Sequence, residues 1–402
     1  MRLKTKYHIF WLALLLFCLL HAGRPASLYA EKLDRLKRLV GKRDAVLVAD
    51  SQGNILFSEN SDKKLIPAST LKILTSLAAM HYLGPDFRFV TEFYTDSDSN
   101  LKIKGYGDPL LISEVVAEIS ETLGTRLETY NDLVLDHSYF DPIIIPGVTT
   151  TLNPYDAPNG ALCANFNTVY FKRRKGGYVS AEPQTPLLPF AVKKIKKLGL
   201  RRGRVIFSRE EDEITLYAGH LFRYFLEKEG VKSHGTVRLG TVRKDIDTLL
   251  FRYVSKYPIE AVISKLLKHS NNFIANQTFV VSGIKSDSPP GTLEKGVRAV
   301  SAYMRNALNL NDIRIAEGSG ISRENRISAK NMYRLLQEFE PYHGLMRHEG
   351  REFYKTGSLS GVKTRAGYIE DGKGGLYRFV VMINTPGKST SRIMSRMLNA
   401  LR

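Results

Sequence analysis

One stretch organises the chain: Ile66-Pro67-Ala68-Ser69-Thr70-Leu71-Lys72. A loop ends at Pro67, and the spacing of apolar residues from 71 to 80 predicts a helix that begins near Ser69. Lys72 then lies one helical turn beyond Ser69 on the same face. An amine there can take the proton of the hydroxyl, and the helix dipole favours the oxyanion that forms. The stretch therefore predicts a nucleophilic serine with a lysine base.

The Ser-x-x-Lys spacing is not specific on its own. It occurs five times in the chain, beginning at Ser61, Ser69, Ser99, Ser282 and Ser360. The match at Ser69 is the one that follows a Pro-Ala entry directly and opens a long apolar helix. A plain helix cap is the alternative interpretation of Ser69, so its role depends on further motifs.

The motif Ser270-Asn271-Asn272 follows a predicted helix and suits a cleft. Its hydroxyl can relay a proton, and its amide can orient a substrate carbonyl or a catalytic lysine. The same Ser-x-Asn pattern also begins at Ser58, and local side-chain caps at a helix terminus are the alternative interpretation.

The motif Lys355-Thr356-Gly357-Ser358 lies in a predicted strand, and Lys-Thr-Gly occurs once in the chain. The glycine leaves room for a ligand along the backbone, and the ammonium and hydroxyl groups can bind a carboxylate. A strand that ends at a glycine bulge is the alternative.

In chain order the three motifs read Ser-x-x-Lys, Ser-x-Asn and Lys-Thr-Gly, which resembles the signature of penicillin-binding proteins and serine β-lactamases. The long span between Lys72 and Ser270 is similar to that of the penicillin-binding protein 4 type. This type is the S13 peptidase family of D-alanyl-D-alanine carboxypeptidases and endopeptidases. Further stretches that resemble the family are residues 66–72, 104–110, 133–140, 157–169, 217–219, 269–275, 317–323 and 355–368. The family usually has Asp at the positions of Asn271 and Glu317, and neither difference removes a Ser, Lys or Asn expected to do chemistry.

The resemblance implies an α/β fold with a penicillin-binding, serine β-lactamase-like domain. Its central antiparallel sheet, with helices on both faces, is expected from residues 31–84 and 246–402. Residues 85–245, where the sequence pattern changes, are expected to form one or two inserted domains. This insertion looks like a reduced form of the family's second and third domains.

The resemblance also implies a role for each motif residue. Ser69 would attack the carbonyl of the penultimate D-Ala, and Lys72 would be its base, with a pKa lowered by burial and by Lys355. Backbone N–H groups of Ser69 and Ser358 would bind the oxyanion. Ser270 would pass the proton to the leaving amine, and Asn272 would hold the peptide. Lys355, Thr356 and Ser358, with Gly357 between them, would bind the terminal carboxylate.

The implied activity is that of a serine DD-peptidase that releases the terminal D-Ala of peptidoglycan stem peptides or cleaves their cross-links. Such an enzyme needs no cofactor or metal, and β-lactams would inhibit it covalently. Two rivals remain. A β-lactamase requires fast deacylation, and no class A-type base motif is evident, whereas a catalytically idle peptidoglycan-binding scaffold would keep the fold without turnover.

Composition and charge narrow the range of partners. The chain has 402 residues, 43% of them hydrophobic, and a net charge of +19. Residues 1–30 contain four basic and no acidic residues, so the remainder carries +15. This charge favours an anionic envelope surface, although a solvated basic face is the alternative. No nucleic-acid-binding motif accompanies the basic clusters at residues 172–175 and 193–197.

The N-terminus resembles an export signal. Basic residues precede the apolar run 9–20, and small residues follow up to Ala30. Residues 1–30 are therefore expected to be a signal peptide or an uncleaved anchor, which predicts a periplasmic or other extracytoplasmic location. Without them Cys163 is the remaining cysteine, so no intrachain disulfide is expected.

Overall fold

The computed structural model describes residues 31–402, so the predicted export segment lies outside the described residues. The described strands are β1 (Asp44–Ala49), β2 (Ile55–Glu59), β3 (Arg88–Thr95), β4 (Leu101–Gly105), β5 (Thr129–Tyr130), β6 (Leu133–Asp136), β7 (Thr168–Arg174), β8 (Gly177–Ser180), β9 (Arg202–Ile206), β10 (Lys232–Ser233), β11 (Val237–Leu239), β12 (Thr248–Pro258), β13 (Arg347–Glu349), β14 (Glu352–Leu359), β15 (Val362–Glu370) and β16 (Leu376–Ile383). The described α-helices are α1 (Lys72–Leu83), α2 (Ser113–Gly124), α3 (Pro189–Leu198), α4 (Glu211–Lys228), α5 (Ile259–His269), α6 (Asn272–Ser286), α7 (Leu293–Asn306), α8 (Ala329–Phe339) and α9 (Ser391–Ala400).

The largest sheet is antiparallel throughout and has the strand order β13-β14-β15-β16-β1-β2. The hairpin β1–β2 comes from the start of the described chain, and the other four strands come from its end. Asp44 on β1 pairs with Ile383 on β16, so the two segments meet at the centre of the sheet. The predicted central antiparallel sheet is confirmed.

Strand β1 is buried on both faces. Ala45, Leu47 and Ala49 pack into the core that contains α1, α5, α6, α7 and α8, whereas Val46 and Val48 face the core that contains α9. Because successive side chains of a strand point to opposite faces, both alternating sets must be apolar when both faces are covered. This explains the uninterrupted apolar run of β1 and confirms the prediction of helices on both faces.

A second sheet, of order β11-β6-β4-β3-β12, is built mainly from residues 88–136 and 237–258. It packs with α2 and α4 around its own core, in which Phe93, Leu135 and Phe222 are fully buried. Strand β12 lies beyond residue 245 in sequence and pairs with β3, with Val254 opposite Val90. A small antiparallel sheet, β8-β7-β9, together with α3 contributes to the same core.

Helix α1 crosses the centre of the larger core. Its side chains Ile73, Leu74, Leu77 and Ala78 are buried, and the helix contacts α5, α6, α7 and α8. Within residues 31–402, no helix combines the length and the apolar character that a bilayer crossing requires. The start of α1 is therefore held rigidly between the sheet and four helices, which positions the residues described next.

Candidate active site

Ser69 lies in a 3-10 turn, Ala68–Leu71, that leads directly into α1. The Pro67 carbonyl at the start of this turn accepts two hydrogen bonds, from Thr70 Oγ1 and from Thr364 Oγ1, each 2.7 Å long. Thr364 is on β15, so this second bond ties the turn to the central sheet. Ser69 itself is half-buried and remains accessible from the cleft.

Gly357 on β14 allows the sheet to approach this turn closely. A Cβ atom at Gly357 would lie 2.7 Å from Ser69 N and 2.9 Å from Ala68 Cβ. Since both distances are shorter than real Cβ contacts, only glycine allows the Lys-Thr-Gly strand to lie against Ser69 in this arrangement. Ser69 and Gly357 are 288 positions apart in the sequence, and their two motifs therefore form one wall of a site.

The Lys72 amine is completely buried and has three polar neighbours. Its Nζ lies 3.0 Å from Ser69 Oγ, 2.7 Å from Asn272 Oδ1 and 2.6 Å from the Ser319 carbonyl oxygen. A neutral amine has two N–H groups and one lone pair. The two carbonyl oxygens can accept only from the N–H groups, which leaves the lone pair directed to the Ser69 hydroxyl. The geometry suits a base for Ser69.

Burial lowers the pKa of Lys72 well below the value of an exposed lysine, and the nearby positive charge of Lys355 lowers it further. Glu317 acts in the opposite direction, because its carboxylate favours the charged amine. The net effect is a lowered pKa, because the amine is completely buried and burial is the largest contribution. Lys72 is thus in an environment that favours the neutral, basic form.

The loop 317–325 presents the Ser319 carbonyl to Lys72. The buried Glu317 carboxylate accepts hydrogen bonds from the backbone N–H groups of Ser319 at 2.6 Å and of Gly320 at 2.7 Å, and from Asn325 Nδ2 at 2.8 Å. The adjoining Gly318 carbonyl accepts from Thr75 Oγ1 of α1 at 2.6 Å. A carboxylate at the centre of the loop therefore fixes the acceptor that Lys72 needs. The sequence assigned no role to Ser319, because every residue has a carbonyl; the resemblance of residues 317–323 to the family was the only signal.

Ser270 and Asn272 occupy the junction between α5 and α6. Ser270 ends α5 in a left-handed conformation, with φ of 53°, and Asn271 caps α6 by accepting from Ile274 N at 3.0 Å. This sharp turn directs Ser270 and Asn272 to different lysines. Asn272 Oδ1 accepts from Lys72, while its Nδ2 donates to the Tyr155 carbonyl at 3.1 Å.

Lys355 is the second buried amine of the site. Its Nζ donates to Ser270 Oγ at 2.8 Å and to the Thr356 carbonyl at 2.7 Å. Burial lowers the pKa of Lys355 to about 7. At neutral pH this amine is therefore divided between its charged and neutral forms.

Thr356 and Ser358 alternate with Lys355 and Gly357 along β14, and their side chains are exposed. Strand β13 pairs with β14 only as far as Tyr354, opposite Arg347. The outer edge of Lys355–Leu359 is thus left without a strand partner from β13, beside the Ser69 turn. Backbone groups on such an edge can bind an extended peptide as an added strand.

A cavity of about 440 Å³ adjoins Asn272 and is lined mostly by apolar side chains, with Lys265 and Arg204 at its wall. Tyr155, Phe166 and Tyr257 provide its aromatic surface. The residues that the structure describes include no group of three or more His, Cys, Asp or Glu side chains placed to hold a metal ion.

The structure distinguishes Ser69 from the serines that begin the other Ser-x-x-Lys matches. The lysine paired with Ser99 in that spacing, Lys102, is in an ion pair with Asp247 at 2.9 Å. Ser282 donates to the Thr278 carbonyl inside α6 at 2.8 Å. Among the five serines, a lysine contact to the hydroxyl of the same motif is described for Ser69.

Comparison with known proteins gives a family match. The model of the D-Ala-D-Ala carboxypeptidase 3 (S13) family matches residues 28–197 and 201–345, more than three quarters of the chain. The Lys355–Ser358 motif follows the matched residues, and the structure brings it to Ser69 through β14.

Individual relatives agree with this match. A D-alanyl-D-alanine carboxypeptidase from Actinomadura sp. (strain R39) is 26% identical over 416 residues, covering 84% of this chain and 77% of the relative. The D-alanyl-D-alanine carboxypeptidase DacB from Haemophilus influenzae is 25% identical over 424 residues, covering 87% and 86%.

Solved structures show the same fold. The crystal structure of penicillin binding protein 4 (dacB) from Haemophilus influenzae matches with a TM-score of 0.72 at 21% identity, over 91% of this chain and 97% of that one. A predatory peptidoglycan endopeptidase from Bdellovibrio bacteriovorus matches with a TM-score of 0.53 at 16% identity, over 88% and 90%. The chain therefore belongs to the D-Ala-D-Ala carboxypeptidase 3 (S13) family and is a serine DD-peptidase of the penicillin-binding protein 4 type.

Proposed function

We propose that Ser69 is the acylated nucleophile of this peptidase and that Lys72 is its general base. Ser69 Oγ attacks the carbonyl carbon of the penultimate D-Ala, and its proton passes to the neutral Lys72 amine. The contact that carries this proposal is the 3.0 Å distance between Lys72 Nζ and Ser69 Oγ, with both other Lys72 neighbours acting as acceptors. The backbone N–H groups of Ser69 and Ser358 stabilise the oxyanion.

The leaving amine then receives a proton through Ser270. The support for this assignment is that Lys355 Nζ donates to Ser270 Oγ at 2.8 Å, so the Lys355 ammonium can replace the proton that Ser270 gives to the leaving amine. Asn272 Oδ1 accepts from Lys72, and one N–H of its Nδ2 donates to the Tyr155 carbonyl. The second N–H of Nδ2 can contact the peptide while Oδ1 holds the base in place.

The C-terminal carboxylate of the substrate binds at Lys355, Thr356 and Ser358, with the peptide lying along the free edge of β14. Gly357 keeps this edge clear of a side chain next to Ser69. A charged Lys355 attracts the carboxylate, and the two exposed hydroxyls donate to it. Water finally hydrolyses the acyl-enzyme.

Peptidoglycan stem peptides are the proposed substrates. Release of free D-Ala makes the enzyme a carboxypeptidase, whereas a cross-linked D-Ala as the acyl donor makes it an endopeptidase, with the same acyl-enzyme in both reactions. The strained amide of a β-lactam acylates Ser69 in the same way, its ring opens, and the resulting acyl-enzyme hydrolyses slowly.

We also propose that residues 1–30 export the protein to the periplasm or wall, and that residues 31–84 and 246–402 carry the chemistry. Residues 85–245 form the insertion. Strand β12, near the start of the segment 246–402, pairs with β3 of the insertion and so joins the two parts. The positive charge of the chain favours an anionic envelope surface as a further partner.

The test measures D-Ala release from a peptide ending in D-Ala-D-Ala, together with turnover of penicillin. Wild-type protein should release D-Ala and form a long-lived penicillin adduct, and Ser69→Ala should do neither. Rapid penicillin hydrolysis without D-Ala release would indicate a β-lactamase instead. A folded wild-type protein inactive in both assays would indicate the idle scaffold.

A further inference from the structure

The small sheet β8-β7-β9 and helix α3 account for most of the net positive charge of residues 31–402. Residues 168–206 contain eleven Lys or Arg side chains and a single acidic residue, Glu182. This segment of 39 residues therefore accounts for +10 of the +15 that residues 31–402 carry. The catalytic residues described above all lie outside it.

Connectivity gathers these cations at one end of the small sheet. Thr168 at the start of β7 pairs with Ile206, and Lys172 near its end pairs with Arg202 at the start of β9. Only three residues connect the end of α3 to the start of β9, so the C-terminal lysines of α3 lie at the same end of the sheet as Arg202. We call this end the basic tip, and its cations are Lys172, Arg173, Arg174, Lys175, Lys196, Lys197, Arg201 and Arg202.

The cations of the basic tip lack acidic partners among the described residues, whereas their neighbours have them. Lys194 pairs with Glu213, and Arg204 pairs with Glu182. Within the tip, the Arg202 side chain donates to the Tyr170 hydroxyl at 3.1 Å, which leaves its charge uncompensated. All tip cations except the half-buried Lys172 are exposed. Their charge is thus available to an external anion.

Two apolar side chains are exposed among these cations. Leu200, next to Arg201, is 41% exposed, and Val179, opposite Lys172 on β8, is 39% exposed. A water-soluble anionic polymer gains nothing from an exposed leucine. A phospholipid headgroup region attracts the cations and also takes apolar side chains out of water.

We infer that the basic tip binds the surface of an anionic phospholipid bilayer. The cleft end of β7 begins at Thr168, which lines the cavity beside Asn272, and Arg174 at the other end lies six positions further along the strand. A strand of this length spans about 20 Å. A bilayer bound at the tip therefore lies about 20 Å from the cleft and leaves it open to the wall. This binding does not depend on the catalytic chemistry.

The test uses residues 31–402 and co-sedimentation with vesicles of phosphatidylcholine, either alone or with 30% phosphatidylglycerol. The wild-type protein should prefer the anionic vesicles, and binding should weaken as salt screens the charges. The variant Arg173→Gln/Arg174→Gln/Lys175→Gln/Arg201→Gln should lose affinity. Since each cation at an anionic bilayer strengthens binding about fivefold, the loss should be roughly several hundred-fold.

A matched control removes the same charge elsewhere. Lys32, Arg305, Arg334 and Lys373 are exposed cations outside the small sheet, and changing all four to Gln should lower affinity at most a few fold. Leu200→Ser should weaken vesicle binding several-fold but leave binding to soluble polyphosphate unchanged. D-Ala release from a short peptide should be the same in all variants.

Three results would overturn the inference. Wild-type protein could show no preference for anionic vesicles, or the control variant could lose as much affinity as the tip variant. In the third case, wild-type protein would bind wall sacculi but not the vesicles, and the tip variant would lose its binding to the sacculi. This result would assign the tip to an anionic wall polymer.

Discussion

A Gly357→Ala substitution should slow acylation of Ser69 without unfolding the protein. The added methyl carbon would lie 2.7 Å from Ser69 N, 2.9 Å from Ala68 Cβ and 2.3 Å from Thr364 Oγ1. Ordinary van der Waals contact begins at 3.4 Å. The Ser69 backbone must therefore move about 0.7 Å away from β14, because the backbone atom cannot rotate out of the way as a side chain can.

The size of the effect follows from this displacement. A misplacement of about 1 Å at a reacting group costs on the order of 100-fold in rate, so a shift of this size should slow acylation roughly 10- to 100-fold. Overpacking costs about 1–3 kcal/mol of stability. This is less than the 5–15 kcal/mol that typically separates folded from unfolded domains, so we expect the variant to remain folded.

The assay is the rate of labelling by a fluorescent penicillin, alongside D-Ala release and thermal unfolding. Gly344→Ala is the matched control, since Gly344 has no atom within 4 Å of a Cβ and no unusual φ. The control should acylate at the wild-type rate. Wild-type labelling by Gly357→Ala would refute the argument that glycine is needed for β14 to lie against the nucleophile turn.

Three further predictions concern the lysines and the turn. Lys355→Ala should slow acylation by a carboxylate-bearing substrate roughly 30- to 1,000-fold, corresponding to about 2–4 kcal/mol. Amidating the substrate carboxylate should slow the wild-type enzyme by a similar factor. If neither change lowers the acylation rate, the assignment of the carboxylate site is contradicted. The kcat/KM profile should fall at low pH as Lys72 is protonated and above about pH 7 as Lys355 loses its proton. An amidated substrate should lack the alkaline fall, and the same fall with both substrates would argue against Lys355. Thr364→Val removes one donor to the Pro67 carbonyl and should slow acylation about 3- to 10-fold, whereas Thr364→Ser should restore the rate.

The parts of the fold that the sequence predicted are those with strong local patterns. The apolar spacing of residues 71–80 predicted a helix near Ser69, which is α1, and the strand predicted to contain Lys355–Ser358 is β14. Strand β12 was missed. Among its eleven residues only Tyr253 and Ser255 are buried. The buried Ser255 is polar and the apolar Val254 beside it is exposed, so the apolar residues do not follow the alternation that indicates a half-buried strand.

The sequence predicted the reactive side chains of the site but not the groups that hold them in position. Ser69, Lys72, Ser270, Asn272 and Lys355 were expected together from their motifs, and the structure brings them into one cleft. The Ser319 carbonyl was not expected, nor were the hydroxyls that hold the Pro67 carbonyl. Backbone acceptors and long-range hydrogen bonds depend on tertiary contacts, which no local spacing of residues encodes.

The most direct test of the account is the position of a penicillin adduct, mapped by mass spectrometry of the digested protein. We expect one adduct, on the peptide that contains Ser69, and none in Ser69→Ala. Lys72→Ala should keep the fold and acylate far more slowly, because it retains the nucleophile but loses the base, while Ser61→Ala and Ser360→Ala should acylate normally. An adduct on any other serine, or no adduct on folded wild-type protein, would contradict the central claim.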